Sequence, residues 1–195
     1  DLVHSETRAL LQSDLGADAY LNATVRGKKR KELRRQAKRL DELGDVTFSH
    51  QCDGRNLDQW IDEFLQLESQ GWKGYSGSSL DSSGQTRAFF REALLGAARA
   101  GQLERHDIRL EGTPLAMLVN FHSGRGSFSF KTAFDEAFAR FSPGVLLQLE
   151  NLKLLENPAI DWMDSCASQD HPMIDSLWSG RRHVGRFSIA LRGVS

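Results

Sequence analysis

Ser127-Phe128-Ser129-Phe130-Lys131-Thr132-Ala133-Phe134-Asp135, followed closely by Phe141-Ser142-Pro143-Gly144-Val145-Leu146-Leu147, decides the architecture. The first run alternates small polar and aromatic residues, which is the period of a β-strand. On that period Phe128 and Phe130 share one face, and Ser127, Ser129 and Lys131 share the other. The second run opens a leucine-rich stretch, Gly144 to about Glu156, with proline and glycine. Its leucines lie on more than one face, which predicts a deeply buried helix. A helix so close behind a strand sets its N-terminus beside the strand's end. Unpaired first-turn amides and the helix dipole suit that place to an anionic ligand.

Upstream, strands are predicted near Leu103–Leu110, Pro114–Phe121 and Ser127–Lys131, with Glu111-Gly112-Thr113 and Ser123-Gly124-Arg125-Gly126 as tight turns. This is an antiparallel meander. The helix after its third strand forces a crossover, so the strand predicted at Ile160–Met163 should lie parallel to the third. Pro172 suits the first turn of a short helix capped by Asp170 or His171, and Arg182–Leu191 reads as a last strand.

Ahead of the meander, Ala17 to Leu43 has a helical pattern. Leu33, Ala37, Leu40 and Leu43 form a stripe amid Arg26, Lys28, Lys29, Arg30, Lys31, Arg34, Arg35, Lys38 and Arg39. Gly27 can divide this region into two helices, and Gly44 can end it. Val46-Thr47-Phe48 predicts a short strand. Asn56 and Gln59 have capping-box spacing before an amphipathic helix carrying Leu57, Trp60, Ile61, Phe64 and Leu65. A Gly- and Ser-rich loop, Gly71 to Gly84, holds Trp72-Lys73-Gly74-Tyr75. The helix from Gln85 to Ala100 turns Phe89, Phe90, Ala93, Leu94 and Ala97 inward and stops at Gly101. The fold class is α/β: a mixed, mostly antiparallel sheet flanked by helices, with a parallel strand pair that splays in front of a helix N-terminus.

At 195 residues, 39% hydrophobic and 26% charged, the chain suits one soluble domain or a domain with an appendage. A net charge of -1 gives no general bias towards polyanions. No apolar run approaches the roughly 20 residues of a membrane helix. Asp1-Leu2-Val3-His4-Ser5 has no signal-peptide character, and a start without Met suggests a piece of a longer protein. Cys52 and Cys166 are far apart in sequence, which fits free thiols in a reducing, cytoplasmic setting. No CxxC or Cys/His metal spacing occurs, so no metal is expected.

Taken in order, several segments resemble the GNAT acyltransferase superfamily. They are Lys28-Lys29-Arg30-Lys31-Glu32-Leu33-Arg34-Arg35, Gly71-Trp72-Lys73-Gly74, Gly112-Thr113-Pro114-Leu115-Ala116-Met117, Phe130-Lys131-Thr132-Ala133-Phe134-Asp135, Ser142-Pro143-Gly144, and Asp164-Ser165-Cys166 through His171-Pro172-Met173-Ile174. The resemblance is to the bacterial cellulose-biosynthesis (CelD-like) acetyltransferases, relatives of the Fem-type peptidoglycan aminoacyltransferases. It implies a GNAT-like fold and an N- or O-acyltransferase. An acetyl or other acyl group, rather than an aminoacyl group, would pass from acetyl-CoA or another acyl-CoA to an amine or hydroxyl acceptor. Exopolysaccharide, cellulose or cell-envelope biosynthesis is the implied setting. Members often carry two GNAT-like halves, of which one fits here. Residues 45–195 are then the expected acyltransferase domain, and the basic helical segment 1–44 a junction to an N-terminal half. Nucleic acid is an expected partner only if the donor is aminoacyl-tRNA, as in Fem-type relatives. A non-catalytic scaffold of the same fold is the third reading. The superfamily's pyrophosphate loop, Arg/Gln-x-x-Gly-x-Gly/Ala, does not occur here. Arg140-Phe141-Ser142-Pro143-Gly144-Val145-Leu146 holds its place with one glycine.

The resemblance implies that Ser142, Pro143, Gly144, Val145 and Leu146 hold the donor's pyrophosphate. A serine cap with proline at the first helical position would read the same way. Lys131 is a candidate to steady an oxyanion or a phosphate. Asp135 is a candidate proton acceptor, or the group that orients Lys131. A surface salt bridge is the plain alternative for both. Asp164 ends the parallel strand, where open α/β sheets bind ligands, and is a second candidate base. Its neighbour Cys166 is a nucleophile or a small buried thiol. His171 is a base in the same loop or a helix-capping residue. Trp72, Lys73 and Tyr75, with Arg182 beside Arg181 and His183, are candidates to bind the acceptor. A loop anchor and a solvated cluster are their alternatives. The basic helix Arg26–Arg39 binds anions, presents a solvated face, or meets the other half.

Overall fold

The meander forms as its alternation predicts, and a strand that no local pattern announced completes the sheet. The computed structural model describes residues 1–70 and 80–189. Strand β1 (Leu2–Leu11) is followed by α1 (Ala17–Thr24), α2 (Gly27–Asp41), β2 (Val46–Gln51), α3 (Leu57–Gln70) and α4 (Gly84–Arg99). The meander is β3 (Leu103–Leu110), β4 (Thr113–Ser123) and β5 (Gly126–Phe134). A 3-10 turn (Glu136–Phe141) leads into α5 (Pro143–Asn151), and a second (Leu152–Glu156) leads out of it. Then come β6 (Trp162–Asp164), α6 (Pro172–Asp175) and β7 (Gly180–Phe187).

The seven strands form one sheet in the order β2-β3-β4-β5-β6-β1-β7. Its pairings are antiparallel except β5 with β6, which is parallel as the crossover required. Strand β1 was not expected. Of its residues only Ala9 and Leu11 are buried, so its own sequence carries little strand signal. It is a strand because β7, far along the chain, pairs with it from Leu2↔Phe187 to Leu10↔Gly180.

Helices cover both faces. Against one face, α3 and α4 pack Trp60, Ile61, Phe64, Phe90 and Leu94 on Leu103, Met117 and Val119. Against the other, α1, α2 and α5 bring Tyr20, Leu33, Leu40, Leu146 and Leu147 onto Ile108, Leu118 and Met163. Each such side chain contributes about 1.5–3 kcal/mol by leaving water. Residues 1–44 thus share the sheet and its cores with the rest of the described chain. Leu43 and Phe89 depart from expectation: both are exposed, because α2 turns on Leu33 and Leu40, and α4 on Phe90 and Leu94. The expected capping box is also replaced. Asn56 takes a left-handed φ of 51°, and the Gln59 amide donates forward to Glu63 Oε1 (2.9 Å).

Within β5 the plain alternation fails at one residue. Asn120 lies opposite Ser129 and Val119 opposite Lys131, so Phe130 is a bulge. The extra residue moves Lys131 off the face of Ser129, where the alternation had placed it. Lys131 Nζ reaches Glu68 on α3, while Ser129 and Thr132 meet Gln148 on α5.

Candidate active site

The site begins where β5 and β6 part. They pair at Gly126↔Trp162, Ser127↔Met163 and Phe128↔Asp164, after which β5 runs on to Phe134. Two local features turn the chain away. The Ser165 amide donates to Ala9 O of β1 (3.0 Å), and the Cys166 amide donates to Asp164 Oδ1 (2.8 Å) with Cys166 at φ 51°. The pair is locked just before it splays. The Trp162 ring lies so close over Gly126 that a Cβ there would sit 2.3 Å from it. Phe128 meets that ring edge-on at 5.4 Å, and Arg182 covers it at 4.5 Å.

A cavity of about 530 Å³ fills the splay. Lys131, Thr132 and Ser129 line its β5 wall, Gln148, Val145, Gly144 and Ser142 its α5 wall, and Ser165, Cys166 and His171 the far side. Because β5 has no partner on its β6 side here, the cavity reaches that edge from both faces of the sheet. On the α3 side Lys131 Nζ donates to Glu68 Oε1 (2.6 Å), and the Leu80 amide donates to Glu68 Oε2 (2.8 Å). Glu68 is 3% exposed, so these bonds hold a buried carboxylate on the cavity wall.

The mouth of α5 is strained. Ser142 has φ 53° and ψ 49°, a left-handed conformation that costs a non-glycine residue roughly 1–2 kcal/mol. Its side chain makes no capping bond, contrary to the cap reading. Its carbonyl accepts from Val145 N (2.9 Å) and Leu146 N (3.0 Å). Pro143 has no N–H, so the expected anion cradle narrows to the Gly144 amide, and Leu146 is a core residue rather than a lining one.

Other expected site residues stand elsewhere. Asp135 neither lines the cavity nor orients Lys131: its Oδ1 accepts from Ala137 N (2.9 Å) and caps the 3-10 turn. Asp164 is buried and bound by its own turn, with Arg182 Nη1 at 3.5 Å and Arg8 Nη1 at 3.9 Å. Arg182 serves this pair and the Trp162 ring. His171 lines the cavity at the foot of α6 and makes no side-chain capping bond; among the described residues its buried Nδ1 has no hydrogen bond. Burial and the nearby Asp164 charge push the Cys166 thiol up to about 11, which favours the inert reading over the nucleophile. Trp72, Lys73 and Tyr75 lie outside the described residues.

Sequence reasoning missed Glu68, Gln148, Ser129 and Thr132. A glutamate at the end of an amphipathic helix and a glutamine among leucines were the available signals. Gln148 is fully buried, and its amide reaches Ser129 Oγ (3.5 Å) and Thr132 Oγ1 (3.4 Å). Asn151 Nδ2 donates to Gln148 Oε1 (3.1 Å), and Asn120 Nδ2 donates to Asn151 Oδ1 (2.8 Å). A polar ladder therefore runs from the cavity along α5 into the sheet.

This geometry can be set beside known proteins. No curated protein sequence matches the chain. The structure of FemX is similar at a TM-score of 0.61 and 12% identity, over 91% of this chain and 59% of FemX. An aminoglycoside acetyltransferase from an uncultured soil metagenomic sample, solved with sisomicin, gives 0.52 at 13% identity, over 75% of this chain and 97% of that one. A conserved protein of unknown function from Bacteroides thetaiotaomicron gives 0.53 at 12% identity, over 82% and 50%. These likenesses show a common fold, and the chain spans about three-fifths of FemX. The family described as acetyltransferase (GNAT) domain matches residues 27–171, well over half of the chain. The chain belongs to the acetyltransferase (GNAT) domain family and shares its fold with FemX.

Proposed function

We propose that the cavity binds an acyl-CoA and that the domain transfers its acyl group to an amine or hydroxyl. The observation that carries this reading is the open edge of β5, which a cavity of about 530 Å³ exposes in front of the α5 N-terminus. Strand edges present unpaired N–H and C=O groups, and an extended ligand rich in amides, such as a pantetheine arm, can pair with them. Its pyrophosphate then lies towards Ser142 and Gly144, by the helix terminus.

At the other end of the arm, Lys131 steadies the thioester oxygen as negative charge develops. The acceptor nitrogen or oxygen attacks the carbonyl carbon, the new C–N or C–O bond forms, and the C–S bond breaks. The acceptor's proton passes to Glu68, a buried carboxylate on the cavity wall that takes the place expected of Asp135 or Asp164. The sulfur leaves as thiolate and takes up the proton that Glu68 received. His171, which lines the cavity and whose Nδ1 has no hydrogen-bond partner among the described residues, is a second group able to carry that proton. The acyl group is expected to be acetyl or another acyl chain, and an exopolysaccharide or envelope component is the acceptor class that the CelD-like resemblance suggests.

Calorimetric titration with acetyl-CoA tests this reading. One-to-one binding, weakened about tenfold by Lys131→Ala, is the expected result; no binding to the unaltered chain overturns it. One observation favours a second donor. Lys28, Lys31, Arg34, Arg35, Lys38 and Arg39 are exposed along α2, and its Gln36 reaches Arg140 O (3.4 Å) in the turn leading to α5. Aminoacyl-tRNA binding with a steep salt dependence would select that donor instead.

A further inference from the structure

At the far end of the polar ladder, three elements bring together a cluster that no linear motif contains. On β2, His50 lies opposite His106 of β3, and their rings stack at 4.6 Å. Glu104 shares the His106 face of β3 two residues away, where it lies opposite Asn120 of β4. His50 Nε2 is 2.8 Å from Glu104 Oε1, and His106 Nε2 is 3.5 Å from the same oxygen. All three donor atoms lie within 4.8 Å of one another.

We propose that His50, Glu104 and His106 form a binding site for a divalent transition-metal ion of the zinc class. Four observations carry the assignment. First, two imidazoles and a carboxylate are a nitrogen and oxygen donor set that suits zinc, whereas calcium and magnesium take oxygen alone. Second, ligands about 2.0–2.1 Å from a tetrahedral ion stand roughly 3.3–3.5 Å apart; His106 Nε2 already lies 3.5 Å from Glu104 Oε1, and the exposed His50, at 2.8 Å and stacked on His106, has to turn outward to complete the set. Third, His106 is buried, yet among the described residues its Nε2 makes no well-formed hydrogen bond and only approaches Glu104 Oε1 at 3.5 Å. Buried polar groups are nearly always paired, so an orphaned imidazole nitrogen facing a carboxylate is a ligand position. Fourth, the outer support is built. Asn120 Nδ2 donates to Glu104 Oε2 (2.8 Å) and to Asn151, and so holds the carboxylate from behind.

Access comes from the edge. His50 is exposed on β2, the terminal strand of the sheet, while Glu104 and His106 are fixed on β3. Cys52 Sγ is 3.4 Å from His50 Nε2, and His122 Nε2 is 3.6 Å from Glu104 Oε2, so further donors ring the same spot. Protons compete with a cation for imidazole nitrogen, so affinity falls as the solution is acidified. The ion would pin edge strand β2 to β3 independently of any acyl donor.

The test is calorimetric titration of zinc chloride into the chelator-treated chain at neutral pH, repeated with His50→Ala and Glu104→Gln. The expected result is one saturable site per chain, weakened about tenfold or more in each variant, with a higher melting temperature on zinc addition in the unaltered chain only. His50 is exposed on an edge strand, so His50→Ala keeps the fold, which circular dichroism checks. No saturable binding, or equal affinity in His50→Ala, overturns the site: the cluster is then a hydrogen-bonded carboxylate and nothing more. Acetyl-CoA titration of His50→Ala is a separate readout, expected to match the unaltered chain, so failure of either proposal is distinguishable.

Discussion

The two ends of the α5 ladder share a helix face and a sheet, yet they hold opposite chemistry. At the cavity end, Gln148 meets the neutral hydroxyls of Ser129 and Thr132, where β5 has parted from β6. At the histidine end, Asn120 meets a carboxylate among three imidazoles, where β2, β3 and β4 remain paired. The open end exposes backbone groups and space, which suit a long ligand. The closed end brings side chains of adjacent strands to within a few ångströms, which suits a small cation. Strand pairing, more than local composition, separates the two.

The strongest way to break this comparison is to disturb the pairing that sets the splay. Gly126→Val forces a side chain into the Trp162 ring. It should destabilise the domain by about 2–3 kcal/mol in urea titration, because overpacking against a fixed ring has few outlets. Lys131→Met removes the cation from a carboxylate that is 3% exposed. Loss of such a partner costs about 3–5 kcal/mol when nothing else holds the charge. Here the Leu80 amide also binds Glu68, so about 1–3 kcal/mol is expected. The double variant Lys131→Met/Glu68→Gln should recover part of that loss.

Thr132→Trp sharpens the open end alone. An aromatic residue is at ease in a strand but fills the cavity, so acetyl-CoA affinity should fall about tenfold, roughly 1.4 kcal/mol, with melting temperature almost unchanged. The smallest effect is at the closed end, in metal-free protein. Burial alone would raise the Glu104 pKa, but His106, His50 and Asn120 outweigh it and hold the carboxyl below its ordinary 4.5. Its stabilising share is present above about pH 4.5 and is lost as pH falls. The hydrogen bond to Glu104 outweighs burial at His50 and raises its pKa above 6.5. That share is complete below about pH 6.5 and is lost as pH rises through the raised value. Melting temperatures across pH should therefore show the largest gap between the unaltered chain and Glu104→Gln at mildly acidic pH, and a gap independent of pH would contradict the coupling.

Much of this was legible in the residues themselves. The meander, the buried helix opened by Pro143 and the parallel return of β6 follow from period, turn residues and crossover geometry, all of which are local or nearly so. The position of the cavity beside Lys131 and Ser142 was legible for the same reason. Glu68 on its wall was not. Asp135 and Asp164 are near the splay in sequence, but local turns consume both, whereas Glu68 arrives from a helix whose packing is a long-range event.

What the sequence determined by itself was the set of elements and the order that splays two strands before a helix, because hydrophobic period and turn chemistry act over a few residues. The tertiary structure alone decided which side chains meet. A single bulge at Phe130 sent Lys131 to Glu68. Pairing with β7 made a strand of Leu2–Leu11, and the β2–β3 register set His50 against His106. Each depends on contacts between distant segments, whose register no local pattern specifies.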